Sequence, residues 1–297
     1  MDMYYNKNTI VYLNGKFIQA TDASVNLYSQ TLHYGSGVFE GIRSYNTEDG
    51  VRVFKAKEHY DRLRYSAKKM HINLDLNSEE LEKITYQVLQ KNKLKDAYIR
   101  PLVYLGENMS LNECHQVNVV IMAWEWDNYL GNKLLRVKLS DYQRPNPLSC
   151  HVEAKVVGHY TNSILATTDA KNNGYDEALL CDAKGYIAEG PGANFFVEKD
   201  EILYTPPRGN ILPGITRQTV FEIAEELGIK VVEKKLKKEH LNQIDTAFFC
   251  GTAAEIIGIK SIDQLFFKLK WEDSISSMIQ RKYKMRVSKN EFQNVFV

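Results

Sequence analysis

The chain has 297 residues, 44% of them hydrophobic and 25% charged, which suits one large domain or two ordinary ones and excludes a disordered or collagen-like chain. Lys and Arg number 38 against 37 Asp and Glu, a formal net charge of +1, so there is no broad electrostatic footprint for nucleic acid or anionic lipid. No run approaches the roughly 18 apolar residues that span a bilayer.

The first 17 residues, MDMYYNKNTIVYLNGKF, are polar and tyrosine-rich and lack the pattern of a secretory signal. TIVYLNGKFIQA holds two β-rich runs joined by Asn14-Gly15, the sequence of a tight hairpin. VRVFKAKEHYDRLRYSAKKM reads as a strand and then a helix with Leu63, Ala67 and Met70 on one face. SEELEKITYQVLQKNKL is a second helix, with Ser78 expected as its cap and Leu81, Ile84, Val88 and Leu89 as its apolar stripe. AYIRPLVYLG and VNVVIMAWEW read as strands. DNYLGN, polar and containing a glycine, marks the expected junction: a domain over 1–126, a loop over 127–135 and a second domain over 136–297. Beyond it come a strand in LLRVKLSDY, a helix over 161–173, strands in EALLCDA and YIAEG, and a hairpin made by NFFVEK and EILYTP. TRQTVFEIAEELG is the clearest helix, with Val220, Ile223, Ala224 and Leu227 along one face and Gly228 at its end. A last helix is expected from about Trp271.

Five segments contain residue types that can carry chemistry. In ILPGITRQ, Pro213 and Gly214 precede the helix that opens with Ile215 and Thr216, and free amides at a helix start attract anions; a simple turn and cap is the alternative. In YIAEGPGANFF, the carboxylate of Glu189 ends a strand beside a Gly-Pro-Gly turn, where it is either solvated or turned toward a ligand. In EAKVVGHY, Lys155 lies among Ala154, Val156 and Val157; a desolvated amine becomes a nucleophile for carbonyls, whereas a lysine whose head reaches water does not. Lys260 in IIGIKSI has a similar setting, and His159 has no partner at metal-ligand spacing. In LHYGSGVFEGIRSY, three glycines alternate with Tyr34, Phe39 and Tyr45, which suits a pocket wall or ordinary packing. In FCGTAAEI, Gly251 to Ala254 follow a strand and offer amides to an anion. The four cysteines, Cys114, Cys150, Cys181 and Cys250, are scattered, which fits free thiols in a reducing cytoplasm, and no metal site is expected.

LHYGSGVFEGIR, EHYDRL, AYIRPL, EAKVVGHY, YIAEGPGANFF, LPGITR and GTAAE follow one another in an order and spacing that resemble the fold-type IV, pyridoxal-phosphate-dependent aminotransferases. The similarity is greatest to the branched-chain amino-acid aminotransferases and runs from about residue 10 to 265. It implies an α/β (α+β) chain, with a small α/β N-terminal domain, a larger barrel-like C-terminal domain and the cofactor in a cleft between them. It also implies a cytoplasmic homodimer or dimer-based oligomer whose pocket a second copy helps to close.

The resemblance assigns roles as well. Lys155 would be the Schiff-base lysine and proton shuttle, Glu189 the carboxylate facing the pyridine nitrogen, and Tyr160 the partner of the phenolic oxygen. Arg62, Ile215, Thr216 and Thr252 would hold the phosphate. Tyr98, Thr252 and Ala253 would take the substrate α-carboxylate, Arg100 the distal carboxylate of glutamate, and Tyr34, Phe39 and Tyr129 would line the side-chain pocket. The implied reaction is reversible transfer of an amino group between leucine, isoleucine or valine and 2-oxoglutarate. D-amino-acid aminotransferases and aminodeoxychorismate lyases share the lysine and the glutamate; AYIRPL and GTAAE favour the branched-chain enzymes. A homologue that kept the fold and lost the chemistry would not need Lys155, Tyr160, Glu189 and Arg62 together. One loop departs from the commoner pattern: EGPGAN places Ala193 where a second acid is frequent, and Pro191 stiffens the turn.

Overall fold

The computed structural model describes residues 4–126, 130–131 and 133–288. The expected junction falls partly outside them, and so does Tyr129. The chain forms two compact units, residues 1–127 with 154–159, and residues 128–153 with 160–297.

In the first unit, β1 (Ile10–Leu13) and β2 (Lys16–Gln19) form the expected hairpin. Asn14 and Gly15 both have positive φ, 47° and 86°, as its two-residue turn requires. The short helix α1 (Gln30–Tyr34) leads to β3 (Val38–Phe39), β4 (Ile42–Thr47) and β5 (Gly50–Val53). Helices α2 (Ala56–Lys69) and α3 (Ser78–Asn92) follow, then β6 (Ala97–Leu105) and β7 (Val117–Trp124). The sheet runs β2-β1-β7-β6-β4-β5, with β3 also on β6. Leu63 and Ala67 of α2 and Leu81, Val88 and Leu89 of α3 are buried in its core, and Met70 and Ile84 pack at the margin.

Ser78 is not the cap of α3. Asn77 is: its side chain accepts from Glu80 N at 2.9 Å, and Glu80 accepts from Asn77 N at 2.8 Å. Ser78 instead donates its hydroxyl to Asp61 at 2.6 Å. Such reciprocal capping satisfies two of the amides that a helix start leaves open.

Residues 154–159 lie inside the expected second domain but fold with the first unit. Val156 bridges to Val38, Phe39 N donates to Lys155 O at 3.1 Å, and Val157 N donates to Gly37 O at 2.8 Å. Ala154 and Val156 are buried in that unit's core.

The second unit contains β8 (Leu135–Gln143), α4 (Tyr160–Asn172), β9 (Glu177–Cys181), β10 (Ile187–Glu189), β11 (Asn194–Lys199) and β12 (Ile202–Thr205). After these come α5 (Ile215–Glu226), β13 (Val231–Glu233), β14 (Thr246–Gly251), β15 (Glu255–Ile262), β16 (Leu265–Phe266) and α6 (Ile275–Ser288). Six strands close into a barrel in the order β10-β9-β8-β15-β14-β11, and β11 returns to β10 through one register pair, Glu189 with Asn194. Alternation along the strands sends Phe195 and Phe249 into the barrel core with Leu135, Val137, Leu179 and Ile257. Phe196 and Phe248 point the other way and stack with their rings 5.0 Å apart. Val220, Ile223 and Ala224 of α5 are fully buried, whereas Leu227, expected on the same face, is 36% exposed because it lies at the helix end. The buried Glu198 on β11 accepts from Ser276 N at 2.9 Å and from its hydroxyl at 2.7 Å, so a remote carboxylate caps α6.

Candidate active site

In the first unit, Phe39 is the centre of one cluster. The Lys155 amine lies 5.0 Å from the centre of its ring, and the Arg100 guanidinium lies 4.7 Å from it. Arg100 also donates to the Tyr98 hydroxyl at 2.9 Å and covers that ring at 5.2 Å. Its Nε is buried without a hydrogen-bond partner. Gly41 makes this arrangement possible: a Cβ there would collide with the Tyr98 hydroxyl. Lys155 is fixed from below, because its backbone N–H donates to Ser66 Oγ of α2 at 2.9 Å. Tyr34 stands apart from this cluster; it is 48% exposed and donates its hydroxyl to Met109 O at 3.1 Å.

Arg62 belongs to a second cluster, one that the sequence pattern did not indicate. Its Nε and Nη2 bind the two oxygens of Glu40 at 2.6 and 2.9 Å. Glu40 is fully buried and is also bound by His59 Nδ1 at 2.8 Å. An ionised carboxylate only accepts, so His59 carries its proton on Nδ1. Burial alone raises the Glu40 carboxyl, but Arg62 and His59 outweigh it and hold the group well below the usual carboxylate range. Burial pushes His59 down and keeps the ring neutral. The available signal was His59 and Arg62 three apart on one helix, with a lone acid in VFEGIR.

In the second unit, Glu189 is 4% exposed at the end of β10. Asn194 Nδ2 donates to it at 2.9 Å, and Leu212 N at 3.1 Å. Arg144 Nε lies 2.9 Å from Oε1 as an ion pair, although its N–H points off the hydrogen-bond line. Arg144 follows β8 and Glu189 ends β10, one strand apart across β9, so no local spacing in the sequence indicated the pair. Asn194 connects the carboxylate to the start of α5: its Oδ1 fills the space that a Cβ on Gly214 would need. Gly214 has no side chain to cap the amides of Ile215 and Thr216, and Thr216 is buried. Asn194 also pairs with Cys250, so the turn bearing Thr252 and Ala253 begins two residues along the neighbouring strand. Tyr160 opens α4, whose first turn is tied to the Gly-Pro-Gly turn by Ser163 Oγ donating to Pro191 O at 2.7 Å. The second unit therefore places Tyr160, Glu189, Ile215 and Thr216 at strand ends and helix starts, and Thr252 and Ala253 in the turn after β14.

A family model described as Amino-transferase class IV matches residues 37–262. This chain belongs to the class IV aminotransferases, enzymes that work with pyridoxal phosphate. Among named relatives, the branched-chain-amino-acid aminotransferase of Pseudomonas aeruginosa is 37% identical over 284 residues, covering 94% of this chain and 92% of that protein. The crystal structure of the Escherichia coli branched-chain amino acid aminotransferase superposes with a TM-score of 0.92 at 35% identity, over 97% of this chain and 98% of that one. The branched-chain amino acid aminotransferase from Thermobaculum terrenum in its PLP-form gives 0.88 at 30% identity, over 95% of each chain.

The side chains fit the cofactor chemically. Pyridoxal phosphate carries a phosphate, a basic ring nitrogen and an aldehyde. The chain offers uncapped helix amides with threonine hydroxyls, a buried carboxylate and a lysine amine.

Proposed function

We propose that this protein reversibly transfers the amino group between leucine, isoleucine or valine and 2-oxoglutarate. The observation that carries this reading is the Phe39 cluster, in which an apolar ring and the Arg100 guanidinium are in contact at 4.7 Å. A branched alkyl group packs on the ring, and the side-chain carboxylate of glutamate meets the guanidinium, so one place serves both amino donors.

The bound cofactor supplies an aldehyde that accepts the amino group and a ring that draws electron density from the substrate α-carbon. Lys155 would hold the cofactor by its aldehyde carbon and would carry the proton to and from the substrate α-carbon. Glu189 would face the ring nitrogen and Tyr160 the phenolic oxygen. Arg62, oriented by Glu40 and His59, would hold the phosphate, as would Ile215, Thr216 and Thr252. Tyr98, Thr252 and Ala253 would take the α-carboxylate, and Tyr34 and Phe39 would line the pocket; Tyr129, assigned to the same pocket from the sequence, lies outside the described residues.

Steady-state assays with L-leucine, D-alanine and aminodeoxychorismate test the reading, and L-leucine is expected to be the preferred substrate by a wide margin. Preference for either of the others would overturn it. Arg100→Ala is expected to lower kcat/KM for glutamate by about 10- to 100-fold, the effect of losing a charge-assisted contact, and to change that for leucine far less. Equal losses for both substrates would remove the proposed role.

We propose that the protein works as a cytoplasmic homodimer. Leu27, Tyr28, Leu32, Met109 and Leu111 are all exposed, Leu111 by 87%. The two segments that carry them are joined, since Asn108 N donates to Tyr28 O and the Tyr34 hydroxyl to Met109 O. A second copy covering these segments would bring Tyr34 to a shared pocket. Light scattering is expected to give twice the chain mass, and Leu111→Asp with Leu27→Asp is expected to lower it to the monomer value.

A further inference from the structure

We propose that Arg144 is a positioning residue for the reaction: it keeps Glu189 ionised, so that the proton shared between this carboxyl and the cofactor ring stays on the ring nitrogen. This rests on the assignment of Glu189 to that nitrogen. Arg144 is 7% exposed and its Nε lies 2.9 Å from Glu189 Oε1. Glu189 is the only carboxylate that pairs with Arg144 among the described residues. Asn194 Nδ2 and Leu212 N, which donate to Glu189, are neutral; they orient the carboxylate, and the ion-paired Arg144 adds a full positive charge. Arg217, the other buried arginine of this unit, is bound to Pro206 O and Glu233. The neighbouring position 193 is alanine, so this residue brings no second carboxylate to compete for Arg144.

The physical consequence concerns where one proton resides. A buried carboxyl facing a base can keep the proton as O–H or give it up as N–H. Desolvation favours the neutral pair, because both charges are costly in a poorly polar interior. A guanidinium against the carboxyl reverses this. Moving the proton from oxygen to a base lying beyond it carries positive charge away from Arg144 and leaves an anion beside a cation. The O–H bond breaks, the N–H bond forms, and nothing is oxidised or reduced. A protonated ring is the stronger electron sink, so Arg144 acts on the reaction through Glu189.

The test uses holoenzyme rebuilt with pyridoxal phosphate labelled with 15N in the ring, read by nuclear magnetic resonance. Wild type is expected to show a protonated ring nitrogen. In Arg144→Gln the resonance is expected to move most of the way to the unprotonated position, kcat with L-leucine to fall about tenfold, equivalent to one unit of proton affinity, and KM to change little. Arg144→Lys is expected to restore both. If glutamine is not tolerated at so buried a position, Arg144→Met, of similar length and uncharged, gives the same reading. A protonated ring with wild-type kcat in the uncharged variant would overturn the role of Arg144. Glu189→Gln separates the two levels. If it moves the resonance and the Arg144 variants do not, only Arg144 is misassigned. If it does not move the resonance, Glu189 is not the partner of the nitrogen, and both assignments fall.

Discussion

Replacing Lys155 by alanine is expected to lower transamination by at least about a thousandfold, the scale of losing a nucleophile and a proton shuttle together, and to abolish covalent retention of the cofactor. The amine lies 5.0 Å from the centre of the Phe39 ring, and its backbone is fixed on both sides, by Ser66 Oγ at 2.9 Å and by Phe39 N at 3.1 Å. Ala154 and Val156 on either side are buried. The side chain is therefore presented by a tight turn, closed by Val156 N donating to Ala154 O at 3.1 Å and anchored on both sides, which holds a reacting amine in place. Lys155→Arg separates chemistry from charge. It keeps a cation over Phe39 but cannot condense with an aldehyde, so it is expected to be as inactive as the alanine variant. Lys260, in a similar sequence setting, is exposed on β15, and Lys260→Ala is expected to retain activity. Borohydride reduction followed by peptide mapping should place the adduct on Lys155 in wild type. An adduct elsewhere, or near wild-type turnover in Lys155→Ala, would remove the assignment.

The second large effect is expected on stability. Glu40→Ala leaves Arg62 and His59 facing a buried space without their acceptor, and breaking a buried pair from one side costs about 3–5 kcal/mol. Thermal unfolding of the first unit is expected to move down by on the order of 10 °C, with cofactor affinity falling because Arg62 loses its orientation. Glu40→Gln keeps the shape and loses the charge, so a smaller shift is expected. The pH dependence has a definite sign. The folded value of Glu40 is the depressed one, so its contribution is present above the unfolded value, about 4.3, and is lost as pH falls through the folded value. His59 is also lowered in the fold, so its contribution declines in the same direction, starting as pH falls through about 6.5. Melting curves from pH 7 to pH 3 should therefore lose stability steadily in wild type. The Glu40→Gln curve should be flatter below about pH 4.3. A wild-type curve that is flat over that range would exclude the triad as a source of acid sensitivity.

Local signals in the sequence are legible where the chain itself decides the geometry. Asn14-Gly15 sets its hairpin through two positive φ angles. The α5 helix begins after Pro-Gly, and its stripe of Val220, Ile223 and Ala224 is buried. The cap of α3 lies one residue before the serine that the sequence suggests, because serine and asparagine both serve there and only the reciprocal contact with Glu80 decides between them. Features that depend on distant strands were not legible. Arg144 meets Glu189 across β9, and Glu40 meets a helix some twenty residues away. The segment 154–159 carries no periodicity that would reveal its bridge to Val38. Motifs in the sequence mark the candidate site residues; the side chains packed against them, such as Glu40 and Arg144, carry no such mark.

The path of residues 154–159 has a consequence for dissecting the protein. The polypeptide leaves the first unit near residue 127, returns for six residues and leaves again. A gene fragment ending at the first exit would encode β3 without its partner Val156 and a core without Ala154, and the complementary fragment would carry the lysine away from both. The two halves are threaded through each other in the gene, so no single cut yields a self-sufficient piece, and truncation or domain-swap experiments on this enzyme need two joints rather than one.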